Sequence, residues 1–266
     1  MGIKSCIFCQ GTLEKASDEH VLPQWLLDYL TIRGEDISPT HYSLEGGVDV
    51  VSTRWHKADN LVEGRVCSKC NNGWMSSLEG EAKPLLIPLM EAEREVVELK
   101  PDERVRVARW AFKTAIVLNS ASNFHKNVPP EHFPYFYTNQ DSLPPLVVVV
   151  GQQHFGDTNF YWLQMPFVLT SEQAGHVSLD EAKNLVAASY KISFQLKNLL
   201  LVVAYWPWPD WKYVIWRGIH VPLWPAKGPV AFYGSDPLRE GFPWNDSLGA
   251  LTAFHLTLAV RRNEFD

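Results

Sequence analysis

Cys67-Ser68-Lys69-Cys70-Asn71-Asn72-Gly73-Trp74 is the stretch that decides the fold of this chain, read together with Cys6-Ile7-Phe8-Cys9. The two C-x-x-C motifs hold all 4 cysteines of the 266 residues. Two thiols separated by two residues sit on one tight turn, where both sulfurs reach a single tetrahedral ion. The doubled motif therefore reads as a zinc site of Cys6, Cys9, Cys67 and Cys70. Four thiolates close the coordination and leave no position for water, which makes such an ion structural. A redox dithiol is the alternative.

Working outward, 46% hydrophobic and 12% aromatic residues supply ample material for a globular core. No window approaches about 18 uninterrupted apolar residues, and Met1 to Cys6 lacks the apolar core of a secretory signal. The expectation is a soluble cytoplasmic protein with no membrane association, and in that reducing compartment paired cysteines hold metal rather than form disulfides. The formal net charge is -6, and residues 1–90 carry 8 Lys/Arg against 12 Asp/Glu. That balance argues against a strong non-specific nucleic-acid binder, which usually carries excess Lys and Arg to displace phosphate counterions. Any contact with DNA or RNA must rest on a local patch and on a bound divalent ion that cancels carboxylate charge.

The expected class is α+β in three parts: a small zinc-stapled treble-clef unit over 1–90, a helical connector over 91–125, and a larger β-rich α+β domain over 126–266 of unknown role. In the first part Pro23-Gln24-Trp25-Leu26-Leu27-Asp28-Tyr29-Leu30 predicts a short helix that stops near Gly34. Val48 to Trp55 predicts a strand after the Gly46-Gly47 turn, and a second helix is expected from about Asn71 towards Lys83. Lys100-Pro101-Asp102 reads as a helix start. Val105, Ala108, Phe112, Ala115, Ile116 and Asn119 then recur at helical spacing, so an amphipathic helix over 102–120 follows. Arg106, Arg109 and Lys113 lie on its other side as an ordinary solvated face, with a phosphate-tracking stripe as the alternative. Beyond about 128, Leu146 to Val150, Phe160 to Leu163, Ile192 to Tyr205 and Tyr213 to Trp216 predict strands. Trp206, Trp208 and Trp211 read as a packed rim of that domain, or else as base-stacking loop residues.

Hydrolysis of a phosphodiester needs a base that takes a proton from water near neutral pH and a cation that stabilises the departing oxygen. Histidine suits the first task, and a carboxylate with an amide oxygen suits the second for a hard ion such as Mg²⁺. Ser17-Asp18-Glu19-His20-Val21-Leu22-Pro23 offers carboxylate and histidine side by side, and Asn71 offers the amide directly after Cys70.

At Glu19-His20, Asp59-Asn60-Leu61 and Asn71, set between the two cysteine pairs, the chain resembles the HNH nucleases of the ββα-metal superfamily, in the variant with a two-knuckle structural zinc. The resemblance covers about the first 80 residues. It implies a metal-dependent endonuclease acting on DNA, or on RNA, with His20 as general base. It further implies that Glu19 and Asn71 hold Mg²⁺ or Mn²⁺, that Asn60 braces the loop that orients His20, and that zinc sits on the four cysteines. The chain departs from the family pattern in placing Glu19 where aspartate is commoner, with Asp18 as a possible substitute. It also has a longer interval from His20 to Cys67 that carries His41, Arg54, Trp55, His56 and Lys57. Those five residues read singly as solvated loop residues and together as potential substrate contacts. The alternative to catalysis is a zinc-finger module that binds nucleic acid or a protein partner. Oligomeric state is not readable.

Overall fold

The computed structural model describes residues 5–13, 16–43, 49–122, 126–152, 159–165, 189–207, 211–216, 221–225, 230–233 and 259–261, with 178, 180 and 184 singly. Strand β1 (Ala16–His20) is followed by Pro23, which opens the short helix α1 (Gln24–Tyr29) as its sequence predicts. The long interval before the second cysteine pair forms a narrow ribbon of β2 (Asp36–Ile37), β3 (Thr40–Ser43), β4 (Asp49–Thr53) and β5 (His56–Lys57). Within it β2 pairs with β5 and β3 with β4, both antiparallel. A 3-10 turn over Ala58–Asn60 leads into β6 (Val62–Cys67), which returns antiparallel to β1.

Cys67 ends β6 and caps α2 (Ser68–Cys70). The helix passes through a π-type turn over Asn71–Met75, kinked at Gly73, and continues as α3 (Ser76–Met90). The run expected to end near Lys83 thus extends through Pro84 and Pro88. A strand pair closed by a knuckle and followed by a helix places both cysteine pairs at one corner.

Helix α4 (Pro101–Ala121) has proline in its first turn, and the Glu103 carboxylate accepts the Lys100 N–H at 2.8 Å. At its far end the Lys126 ammonium donates to the carbonyls of Asn119 at 3.0 Å and Ser120 at 2.6 Å. The helix lies at the predicted place, but the expected solvated basic face is corrected by its surroundings. Nearly every side chain from Val107 to Ser120 is buried, Lys113 completely. Arg109 is half-buried with its guanidinium 6.0 Å from the Phe136 ring centre, and only Arg106 remains exposed, paired with Asp102.

Helix α5 (His132–Thr138) precedes a five-stranded antiparallel sheet in the order β12-β7-β10-β9-β8. Its strands are β7 (Val147–Gln152), β8 (Phe160–Met165), β9 (Tyr190–Leu196), β10 (Leu199–Tyr205) and β12 (Val221–Trp224). The run Ile192 to Tyr205 is therefore two strands joined at Lys197-Asn198, with Lys197 in the left-handed region at φ 49°. Strands β11 (Trp211–Trp216), β13 (Val230–Tyr233) and β14 (Ala259–Arg261) form a separate three-stranded sheet in the order β13-β11-β14. Trp206 is buried, Trp211 opens β11, and Trp208 lies outside the described residues.

The fold is thus α+β, and buried apolar residues from Cys6 to Leu223 form one hydrophobic core. Phe8 of the first knuckle meets Trp74 at 5.5 Å and Phe133 of α5 at 5.4 Å, while Trp110 of α4 meets Phe194 of β9 at 6.0 Å. Asn198 donates to the Met90 carbonyl from both its backbone and its amide, at 3.2 and 2.8 Å. The core runs without a break across positions 90 and 125, the expected limits of the helical connector. No helix among the described residues is long and apolar enough to cross a membrane.

Candidate metal centre and its surroundings

The first cysteine pair is shaped by backbone bonds. Cys6 N donates to Gly11 O at 2.9 Å and Gln10 N to Cys6 O at 3.0 Å, with Gln10 at φ 60°. A Cβ on Gly11 would come within 3.4 Å of the Cys9 sulfur, so the turn closes tightly on the thiol. Ile7 N donates to Arg65 O at 3.0 Å and Cys67 N to Cys6 Sγ at 3.4 Å, which fastens this knuckle to β6 and the second pair.

All four sulfurs lie within 4.8 Å of one another, with Cys6 and Cys70 at 3.9 Å and Cys9 and Cys67 at 3.7 Å. A disulfide would bring two sulfurs to about 2.0 Å. A tetrahedral ion with metal–sulfur bonds of about 2.3 Å needs sulfur pairs near 3.8 Å. The separations fit the ion. Burial pushes the Cys70 and Cys9 thiols up, whereas at Cys6 burial is outweighed by the N–H groups of Cys67, Cys9 and Phe8, which hold it below its usual range. A cation bound here would displace the protons that burial favours on Cys9 and Cys70. Four cysteines close together can hold a metal ion such as zinc.

Strand β1 separates its side chains by alternation. Asp18 and His20 are on the more open face, exposed and half-buried respectively, while Ser17 and Glu19 face the other way. Across the ladder a β-bulge sets Gly64 and Arg65 of β6 together opposite Asp18, and this register places Glu19 directly opposite Glu63. Both carboxylates are buried and both point to α4.

They are held differently. Lys113, completely buried, lies 2.5 Å from Glu19 and 2.6 Å from Glu79 of α3. Burial drives the Glu19 carboxyl above its ordinary range against the opposing pull of Lys113. The ammonium, which burial alone would depress, is pushed up by its two carboxylate neighbours. Seven residues further along the same face of α4, the Ser120 hydroxyl donates to Glu63. Arg65 adds bonds from Nε at 2.9 Å, Nη2 at 3.0 Å and its backbone N–H at 2.9 Å. Burial opposes ionisation of Glu63, yet these donors hold its carboxyl below the usual range.

Asn71 is the link between the cysteine corner and β1. Its Nδ2 donates to Ser17 Oγ at 2.9 Å and to the Asp18 carbonyl at 3.3 Å. A carbonyl can only accept, so the amide nitrogen faces β1 and Oδ1 is turned away from that backbone. Among the described residues the His20 side chain has no hydrogen-bond partner, while its backbone lies in the ladder opposite Val62. Asn60, expected to brace the His20 loop, is exposed on the 3-10 turn, and the loop is tied instead by Val21 N to Leu61 O at 3.0 Å.

The structure therefore brings together the four cysteines, and it brings Asn71 to the strand of His20. It commits Glu19, the expected ligand of a second ion, to Lys113. Apart from the cysteines, no cluster of three or more His, Cys, Asp or Glu comes together among the described residues. Lys113 and Glu79 had no signal in the sequence beyond an i, i+3, i+7 run of cations. Of the remaining histidines His132 is a core residue. Burial lowers its pKa to about 4, and its Nδ1 is 3.0 Å from the Tyr190 hydroxyl. Comparison of the chain with protein-family models, with curated proteins and with solved structures gives no match in any of the three.

Proposed function

We propose that this chain is a metal-dependent endonuclease of the HNH type that hydrolyses phosphodiester bonds in DNA, with RNA as the alternative substrate, in the cytoplasm. The observation that carries the reading is the tie between Asn71 and β1. The residue after Cys70 is bonded through Nδ2 to Ser17 Oγ and the Asp18 carbonyl, which ties it to the strand that ends in His20 and leaves its amide oxygen unused by that strand. In this reading zinc on Cys6, Cys9, Cys67 and Cys70 staples the corner and takes no part in the reaction.

His20, half-buried on the open face of β1, takes the proton from the attacking water. Asn71 Oδ1 and the exposed Asp18 carboxylate would hold Mg²⁺ or Mn²⁺, an ion that supplies neutralisation of the charge developing on the departing oxygen. Asp18 takes that role in place of Glu19, because Glu19 remains with Lys113. Backbone bonding around Leu61, next to Asn60, keeps the loop after His20 in place.

Nicking of supercoiled plasmid by wild type and by His20→Ala, each with zinc retained and with Mg²⁺ or Mn²⁺ added or withheld, tests the proposal. Metal-dependent nicking that vanishes in the variant supports it. Asn71→Ala should raise the Mg²⁺ concentration needed for turnover. The occupied Glu19 and the lack, among the described residues, of a second cluster of metal-binding side chains favour a second reading, a zinc-finger module that binds nucleic acid or a protein without cutting. Binding that survives His20→Ala and ignores Mg²⁺, with no cleavage by wild type, would select that reading.

A further inference from the structure

The ribbon inserted between β1 and β6 behaves as one long arm. Asp36 pairs with Lys57 and Ile37 with His56, Arg54 N donates to Pro39 O at 3.3 Å, and the ladder continues from Thr40 and Thr53 to Ser43 and Asp49. Successive strand residues point to opposite faces, and Val50 and Val51 are 61% and 60% exposed, so neither face of β4 packs on the body. A two-stranded ribbon with both faces in water is marginal by itself and gains order from what it grips.

The chemistry of the segment Ser52-Thr53-Arg54-Trp55-His56-Lys57, which joins β4 to β5, says what that is. Trp55 is the most exposed large apolar side chain among the described residues, at 72%. It is flanked by Arg54, exposed and without an ion pair among the described residues, and by His56 and Lys57. The stretch contains no acid, and the facing Asp36 is neutralised by Lys57 at 2.9 Å. A docked protein surface would call for apolar neighbours around the indole. With Lys57 taken by Asp36, the Arg54 guanidinium beside an open aromatic face suits a phosphate chain whose bases can stack. The arm is also rooted at the proposed site. Ala58, buried at its base, donates to Glu35 O at 3.0 Å, and Leu61 accepts from Val21, the residue after His20.

We infer that the segment Ser52–Lys57 of the ribbon grips a single-stranded stretch of the nucleic acid, with Trp55 stacked on an unpaired base and Arg54 on the neighbouring phosphate. The substrate class is then nucleic acid with unpaired bases beside the cut, such as a flap, a bubble or a free strand. This rests on the endonuclease reading above.

The test is fluorescence anisotropy of a labelled oligothymidylate and of a blunt duplex of equal length, with full-length protein carrying His20→Ala to stop cleavage. The single strand should bind more tightly than the duplex. Adding Trp55→Ala should weaken single-strand binding roughly tenfold, with duplex binding little changed and Trp55→Phe retaining most of the affinity. Arg54→Ala should lower the slope of log affinity against log salt by about one. Unchanged circular dichroism and zinc content in each variant establish that the fold is intact. If Trp55→Ala binds the single strand as its parent does, while wild type still nicks plasmid, the ribbon inference fails and the nuclease reading stands. If the parent binds no nucleic acid, both fail together. If Trp55→Ala instead converts a dimer to a monomer in sedimentation, the ribbon joins copies of the chain and the inference is overturned.

Discussion

Two buried polar clusters fasten the strand pair β1–β6 to its helices, and their chemistries are opposite. At one end, four sulfurs from the knuckle, β6 and α2 converge within 4.8 Å, ready for a cation that is not part of the chain. At the other, Lys113 supplies the cation from within α4 and joins Glu19 of β1 to Glu79 of α3. The first cluster can be emptied by removing an ion. The second can be opened only by changing a residue, and then the buried Glu19 and the partly buried Glu79 are left with no counter-charge. A thiol site is local and announces itself by spacing, whereas an ion triad drawn from three elements does not exist until the fold assembles it.

The comparison is broken most severely at the cysteines. Cys67→Ala should abolish metal binding and unfold the N-terminal corner, since apparent zinc binding in such sites contributes about 10 kcal/mol or more to folding. Metal analysis and a thermal melt read this directly, and a chelator should reproduce it in wild type. Retention of one equivalent of zinc by the variant would refute the four-sulfur site.

Lys113→Met should come next, at about 3–5 kcal/mol of stability, because it strands the buried Glu19 and the partly buried Glu79 without a counter-charge. Replacing the group by an apolar one together with Glu19→Gln and Glu79→Gln should recover much of that loss, as neutral buried groups need no counter-charge. Urea midpoints of the single and triple variants decide this. A triple variant no better than the single one would mean that Lys113 acts by packing alone.

Glu19 and Glu63, opposite each other in the ladder, should show opposite pH slopes. The Glu63 carboxyl is held below its ordinary value of 4.5, so its stabilisation is present above pH 4.5 and is lost as pH falls through the lowered value. The Glu19 carboxyl is raised, so the folded chain keeps that proton longer than the unfolded one and stability falls as pH rises from 4.5 towards the raised value. Glu63→Gln should therefore flatten the acid limb of the urea midpoint, and Glu19→Gln the rise in instability above pH 4.5. Identical profiles in the two variants would show that the shifts do not differ as their surroundings require.

Arg106→Ala marks the small end. Arg106 lies on the same helix as Lys113, but its pair with Asp102 is exposed and spaced i, i+4, and its loss should cost no more than about 0.5 kcal/mol. A loss comparable to that of Lys113 would remove burial as the distinction between the two cations.

Much of the fold was legible because it depends on local signals. Pro23 and Pro101 mark helix starts, the run Leu146 to Val150 overlaps β7 from Val147 onward, and Phe160 to Leu163 lies inside β8. The burial of α4 was not legible. Its cations sit at helical spacing like any solvated face, and only the sheet on one side and β6 with α3 on the other bury Lys113. The single core across positions 90 and 125 was hidden for the same reason, since nothing in Phe8 foretells its contact with Phe133.

By itself the sequence determined that four cysteines in two C-x-x-C pairs meet at one point, that Asn71 follows the last of them, and that a helix begins at Pro101. Those facts depend on spacings of a few residues and on the conformations such spacings allow. Only the tertiary structure decided that Glu19 faces Lys113 while Asp18 and His20 face outward, and that Asn71 turns its amide nitrogen to β1. The reason is register. A bulge opposite Asp18 and the docking of α4 across β1 and β6 set which side of a strand is buried, and both are settled by packing among residues far apart in the chain.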